Sequence, residues 1–153
     1  MKRVFSVLLC LLFLLSLAAC GGEKVIADPT ALAEALYTAD IYSTDLFPLD
    51  ASLVDVMFEL DKPYTAAYGY ATAGDAADEI AVLVAADETA AQDLLTNLEA
   101  HRVAFSQLYS TYAPNQCPRI DGALLMRVGN VVVWCVSDDT DAAKALVESH
   151  SGK

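Results

Sequence analysis

Positive charge is scarce in this sequence. Nine Lys and Arg stand against 21 Asp and Glu in 153 residues, which gives a formal net charge of −12. A surface of this sign repels phosphate backbones and anionic lipid headgroups. We therefore predict that the chain has no nucleic-acid partner and does not attach to a membrane through a basic patch.

The residue types that build metal centres and nucleophilic sites are also few. The two histidines, His101 and His150, are far apart, and the sequence has no Gly-x-Ser-x-Gly motif. A zinc site needs three or four ligands, and a nucleophilic serine needs a base beside it. The acidic run from Asp138 to Asp141 lacks the glycine and distal glutamate of a calcium loop and suits a helix start. We predict no metal and no cofactor.

No apolar run is long enough for a transmembrane helix. The longest runs from Val4 to Leu17 and is interrupted by two serines, whereas a span takes about 20 residues. Lys2 and Arg3 precede this run, and small residues followed by Cys20 end it. A charged start, a short apolar run and small residues are typical of an export signal. We predict that residues 1–19 are the signal and that the mature chain begins at Cys20.

The segment Leu17-Ala18-Ala19-Cys20 resembles the lipobox of bacterial lipoproteins. The resemblance implies that the Cys20 thiol receives a diacylglyceryl group and that the membrane is a partner through this lipid. Two acyl chains anchor a protein stably, whereas one binds only reversibly. The alternative is an ordinary signal in which Cys20 is incidental. Removal of residues 1–19 takes two basic residues and no acidic ones, leaving 7 against 21 and a formal charge of −14.

The remaining chain has the hydrophobic spacing of one α+β domain over residues 29–150, preceded by a short tether over residues 20–28. Apolar periodicity, helix-capping residues and turns predict its elements. They are short helices after Asp28 and Asp50, a hairpin over 64–73 and 80–84, a long helix from Asp87 to about Tyr112, a hairpin over 124–128 and 131–137, and a helix after Asp138 or Asp139. We expect a four-stranded, mainly antiparallel sheet from two hairpins, packed with the long central helix, the C-terminal helix and two short N-terminal helices.

The Gly129-Asn130 turn sets the register of the second hairpin. If Val128 pairs with Val131, one face is wholly apolar and includes Leu124 and Cys135. The other face carries Trp134 and Arg127, and it is either covered by the early helices or partly open. In the first hairpin, small residues including Gly69 share a face, which would let a helix approach closely.

Aromatic residues supply one candidate binding surface. Tyr64, Tyr68 and Tyr70 fall on one face of the first hairpin, and Trp134 lies beside Arg127 in the second. Such rings offer a flat contact area for a glycan or a partner protein. The alternative is that they only cover the sheet beneath the short helices.

Other polar residues have simpler interpretations. Cys117 and Cys135 are the cysteines that remain after Cys10 and Cys20; an export compartment permits a disulfide between them, and the alternative is a buried, unreactive Cys135. His101 is expected at a polar position of the long helix. Asp75, Asp78 and Glu79 are expected to be solvated loop charges.

Three segments are similar to a family of uncharacterised domains in lipoproteins of Firmicutes-type bacteria. They are Ala18-Ala19-Cys20-Gly21-Gly22, Ala77-Asp78-Glu79-Ile80-Ala81-Val82, and Val128-Gly129-Asn130-Val131-Val132 with Val136-Ser137-Asp138-Asp139. The family has no assigned activity, so the resemblance implies a location at the cell membrane, facing outward, and a shared domain. Together with the missing catalytic set, it leads us to expect a non-enzymatic module that binds an envelope protein or small ligand. The rival is an envelope hydrolase or transferase whose site is assembled across the fold.

Overall fold

The computed structural model describes residues 24–152. The predicted signal and Cys20 lie outside these residues. Between residues 24 and 152 no helix has the length and apolar character needed to cross a bilayer. The elements in chain order are β1 (Val25–Ile26), α1 (Pro29–Tyr37), β2 (Leu46–Leu49), α2 (Ala51–Met57), β3 (Ala66–Thr72), β4 (Glu79–Val84), α3 (Glu88–Tyr112), a 3₁₀ turn (Pro114–Gln116), α4 (Cys117–Asp121), β5 (Leu124–Val128), β6 (Val131–Val136), α5 (Thr140–Ser149) and β7 (Ser151–Gly152).

The predicted helix starts are confirmed. In each case an aspartate carboxylate accepts a hydrogen bond from the backbone N–H three residues later, which satisfies a donor that the helix itself cannot pair. The four caps are Asp28 for α1, Asp50 for α2, Asp87 for α3 and Asp139 for α5. The acidic run near residue 139 is therefore used for capping, as expected.

The α+β class and both hairpins are also confirmed. The main sheet has the antiparallel order β2-β3-β4-β6-β5. Val128 pairs with Val131 and Leu124 with Cys135, which is the register that the Gly129-Asn130 turn predicts. Gly129 has a φ of 58°, a conformation that glycine adopts without steric cost.

The predicted count of four strands is wrong because β2 forms a fifth. Leu46 pairs with Thr72 and Leu49 with Gly69, so β2 lies at the edge of the sheet. Pro48 has no N–H to donate, and an edge strand tolerates this because only one of its sides is paired. A four-residue strand containing proline gives too weak a pattern to be recognised. The short helix α4 was likewise not predicted.

The start of the described chain pairs with its end. Val25 pairs with Gly152 and Ile26 with Ser151 in a small second sheet, and Ile26 is buried. Residues 25 and 26 thus belong to the folded domain instead of to the tether. Two-residue strands whose partner lies at the far end of the chain leave no periodic signal in the sequence.

Helices cover both faces of the main sheet. One apolar layer joins α1 and α5 to the face that carries Leu124 and Cys135. The other joins α2, α3 and α4 to the face that carries Trp134. From the sequence, the face that carries Trp134 and Arg127 could be either covered by the early helices or partly open. In the structure it is covered, chiefly by the long helix α3.

Candidate functional site

Two consecutive acidic residues at the start of β4 are buried. Asp78 and Glu79 are each only 1% exposed, so the expectation that they are solvated loop charges is wrong. Their neighbours in β4 are also buried, and both carboxylates receive hydrogen bonds from side chains distant in sequence. A buried carboxylate is tolerated when it is paired in this way.

Glu79 is the centre of a buried hydrogen-bonded group. Its Oε1 accepts from Trp134 Nε1 at 2.7 Å and lies 3.0 Å from His101 Nε2. His101 is 4% exposed, which corrects the expectation that it is simply a polar position of the long helix. Its ring packs between the aromatic rings of Phe58, Phe105 and Trp134. The group lies inside the layer between the sheet and α3.

The other imidazole nitrogen of His101 is not fully paired. Within residues 24–152, Nδ1 has no hydrogen-bond partner; the nearest carboxylate oxygen is Glu59 Oε2 at 3.7 Å. Glu59 has a φ of 50°, and Asn97 holds this backbone by donating to the Glu59 carbonyl at 3.0 Å. The largely exposed Glu59 carboxylate thus lies near Nδ1 but beyond hydrogen-bond distance.

The Asp78 carboxylate accepts hydrogen bonds from two other segments of the chain. Its carboxylate accepts from Ser43 Oγ at 2.9 Å, from Thr44 Oγ1 at 3.0 Å and from the Arg119 guanidinium. Arg119 also donates to Gln116 Oε1 at 2.7 Å. We call Asp78, Ser43, Thr44 and Arg119 the Asp78 cluster. It fastens the loop before β2 and helix α4 to the end of the central strand.

An open groove of about 930 Å³ lies along the loop that the Asp78 cluster holds. It is lined by Tyr37, Thr38, Ala39, Asp40, Tyr42, Ser43, Thr44, Asp45, Leu46 and Phe47, and we call it the 37–47 groove. Asp40 and Asp45 are exposed, and among these lining residues none is Lys or Arg. The wall residue Tyr37 stacks on Tyr70 with ring centroids 4.4 Å apart, and Phe47 is 53% exposed.

The floor of the groove is tied to the core. The Tyr42 hydroxyl donates to the Leu36 carbonyl at 2.9 Å and lies 3.5 Å from Cys135 Sγ. Burial raises the pKa of the Tyr42 hydroxyl and raises the pKa of the Cys135 thiol to about 11. Both groups stay protonated at neutral pH, so neither is a ready nucleophile.

The predicted aromatic surface is not assembled. Tyr68 and Tyr70 share the α1 side of the sheet, where Thr30 Oγ1 donates to the Tyr68 hydroxyl at 2.8 Å. Tyr64 packs with the opposite layer, and Trp134 is completely buried. Arg127 donates to the Gly129 carbonyl at 2.8 Å. The sequence pattern places Tyr64 on the same face as Tyr68 and Tyr70 because it counts residue 64 as part of the strand. In the structure β3 begins only at Ala66, so the alternation does not extend to Tyr64.

The two cysteines in the described residues are free. Cys135 is buried in the layer with α1 and α5, whereas Cys117 packs with the layer on the opposite face of the sheet. Cys117 Sγ lies 3.5 Å from the Ser106 carbonyl oxygen. The disulfide considered from the sequence is absent because the sheet separates the thiols, and the alternative of a buried Cys135 is the arrangement present.

Sequence reasoning did not find the 37–47 groove. The groove comes from a loop without regular structure, and the Asp78 cluster that holds it joins residues 34 to 41 positions apart in the chain.

No group of three His, Cys, Asp or Glu able to hold a metal occurs in residues 24–152. No family model, curated protein or solved structure matches the chain.

Proposed function

We propose that this chain is a lipid-anchored, extracytoplasmic binding module without enzymatic activity, and that its 37–47 groove holds a positively charged ligand of the cell envelope. The observation that carries the proposal is the groove itself, with two exposed carboxylates and aromatic walls on a fastened loop. The anchor is supported by the order of residues from Lys2 to Cys20.

The charges of the groove favour a cationic ligand. Asp40 and Asp45 are exposed in the lining, and the nearby guanidinium of Arg119 is engaged by Asp78 and lies 2.9 Å from Asp138. Asp40 and Asp45 would repel an anionic ligand, and the lining has no basic residue to pair with it. The rings of Tyr37 and Phe47 complement a cation because the face of an aromatic ring is electronegative.

The loop is also held in place before any ligand binds. Ser43 and Thr44 bond to Asp78, and the Asp138 N–H donates to the Ile41 carbonyl at 2.8 Å. A site that is already ordered loses less conformational entropy on binding. This favours a binding role for the groove over a passive surface loop.

The same contacts argue against the rival hydrolase or transferase. Ser43 donates to a carboxylate instead of to an imidazole, and nucleophilic catalysis by serine needs a base at hydrogen-bond distance. The His101 imidazole, which lies beside the carboxylates of Glu79 and Glu59, is buried and is not part of the groove lining. The raised pKa of the Cys135 thiol keeps it from serving as the nucleophile.

Titration calorimetry with a short peptide of alternating Lys and Gly tests the ligand class. We expect the double variant Asp40→Asn/Asp45→Asn to bind about tenfold more weakly, which corresponds to about 1.4 kcal/mol. The matched control is Asp93→Asn/Glu148→Gln, which removes the same charge from exposed positions outside the groove and should bind like the natural protein. Equal weakening in both variants, or tighter binding of a Glu-containing peptide, would contradict the proposal.

A further inference from the structure

We infer that the 37–47 groove opens at the end of the domain that faces away from the membrane, so that its ligand comes from the wall side instead of the lipid surface. This inference rests on the proposed acylation of Cys20. It follows from where the first described residues meet the sheet.

One end of the sheet, which we call the turn end, lies beside the start of the domain. The Gly129-Asn130 turn joins β5 to β6 there. A Cβ added to Gly129 would lie 3.3 Å from Val25 Cγ1 and 3.4 Å from the Lys24 carbonyl oxygen. Asn130 Nδ2 donates to the Ala85 carbonyl at 2.9 Å, just past the end of β4. The polypeptide therefore enters the domain at the turn end.

The groove lies at the opposite end of the same strands. Val136 ends β6 opposite Glu79, and two residues later the Asp138 N–H binds the Ile41 carbonyl of the groove loop. Strand β6 has six residues, and at about 3.3 Å per residue this separates the two ends by about 17 Å. The Asp78 cluster marks the groove end.

The chain between the anchor and the turn end is short. Residues 25 and 26 belong to the domain, so only Gly21, Gly22, Glu23 and Lys24 lie between Cys20 and Val25. Five residue steps reach at most about 18 Å even when fully extended. An acylated Cys20 therefore keeps the turn end near the lipid headgroups and leaves the groove end farther out.

Charge adds a preference to this tethered geometry. The turn end carries both signs, with Lys24 there and Arg127 3.6 Å from Glu88, whereas Asp40, Asp45 and Asp138 at the groove end have Arg119 as their basic neighbour. Anionic headgroups therefore repel the more acidic groove end more strongly within a Debye length of the surface. Tipping of the groove toward the bilayer is disfavoured, and the turn end is the favoured contact.

The test uses the full acylated protein in phosphatidylcholine and phosphatidylglycerol vesicles that carry a phospholipid with a photoreactive diazirine in its headgroup. After illumination, peptide mass spectrometry locates the adducts. We expect several-fold more labelling of peptides containing residues 24–26 and 129–130 than of peptides containing residues 37–47. Insertion of about 20 Gly and Ser residues between Gly22 and Glu23 should reduce this difference, because such a linker is flexible.

Intact-mass measurement on the same sample separates the two ways of failing. If Cys20 carries lipid and the groove peptides label as strongly as the turn-end peptides, the orientation is wrong while the proposed anchor stands. If the Cys20 thiol is bare, the anchor and the orientation are both overturned.

Discussion

At the scale of single residues, Glu79 has the most demanding position because its carboxylate is buried and accepts from Trp134 and His101. We expect Glu79→Ala to lower the free energy of unfolding by about 3 kcal/mol, since both partners then lose their buried acceptor. Glu79→Gln keeps an amide oxygen as acceptor and should cost about 1 kcal/mol. Urea unfolding followed by Trp134 fluorescence measures both values.

The control for this prediction is Asp93→Ala, which removes an exposed carboxylate from α3. Its expected effect is within about 0.5 kcal/mol. If Glu79→Ala proved as mild as this control, the buried hydrogen-bonded group would not contribute to stability as argued.

The raised pKa of the Cys135 thiol predicts that the protein loses stability at alkaline pH. Burial raises its pKa from 9.0 to about 11, so the unfolded chain releases this proton at a lower pH than the folded protein does. The stability contribution is complete below pH 9 and is lost as the pH rises through 11, by about 3 kcal/mol for a shift of this size. Denaturant unfolding at a series of pH values measures the decline.

Substitution of each cysteine identifies the group responsible. Cys135→Ala should reduce the decline between pH 9 and 11, and Cys117→Ala, which removes the half-buried thiol on the other side of the sheet, is the matched control. An identical decline in all three proteins would assign it to other groups.

Sequence patterns predicted single residues well only where the cause was local. The caps Asp28 and Asp87 bond to backbone three residues away, and such spacing can be recognised in a sequence. Glu79 and Asp78 looked like loop charges because their partners lie 22 to 55 residues away. Whether an acid is buried depends on such distant contacts.

At the scale of elements, the approach of α2 to β3 depends on Gly69. A Cβ at this position would lie 2.6 Å from Val54 Cγ2 and 3.3 Å from Phe58 Cε2. We expect Gly69→Ala to lower the free energy of unfolding by about 2 kcal/mol, because the helix must shift to admit the methyl group. Thermal or urea unfolding measures the change.

Gly74→Ala is the matched control, since its added Cβ would have only Thr72 Oγ1 within reach, at 3.8 Å. A change within about 0.5 kcal/mol is expected there. Equal effects at the two glycines would mean that α2 does not pack closely on the strand.

This helix contact could be predicted from the sequence. Strand alternation places Gly69 and other small residues on the face of the first hairpin that does not carry Tyr68 and Tyr70, and a helix can approach such a face closely. By contrast, β1 and β2 were missed. Each is short, and each is defined by pairing with residues that come later in the chain. A strand of two or four residues has too few positions to establish a period.

At the scale of the whole molecule, the two ends of the domain differ in structure. The chain enters at the turn end, and the Asp78 cluster and the 37–47 groove occupy the other. The α+β class followed from the sequence because it depends on the order of strong elements. The groove did not, because a loop acquires its shape from the tertiary contacts that hold it.

The proposed place and role of the protein depend on Cys20, and mass spectrometry of the native protein extracted from membranes tests it most directly. The account predicts a mature chain that begins at Cys20 and carries a diacylglyceryl group on its sulfur. A chain that retains residues 1–19, or a processed chain whose Cys20 sulfur carries no lipid, would contradict it.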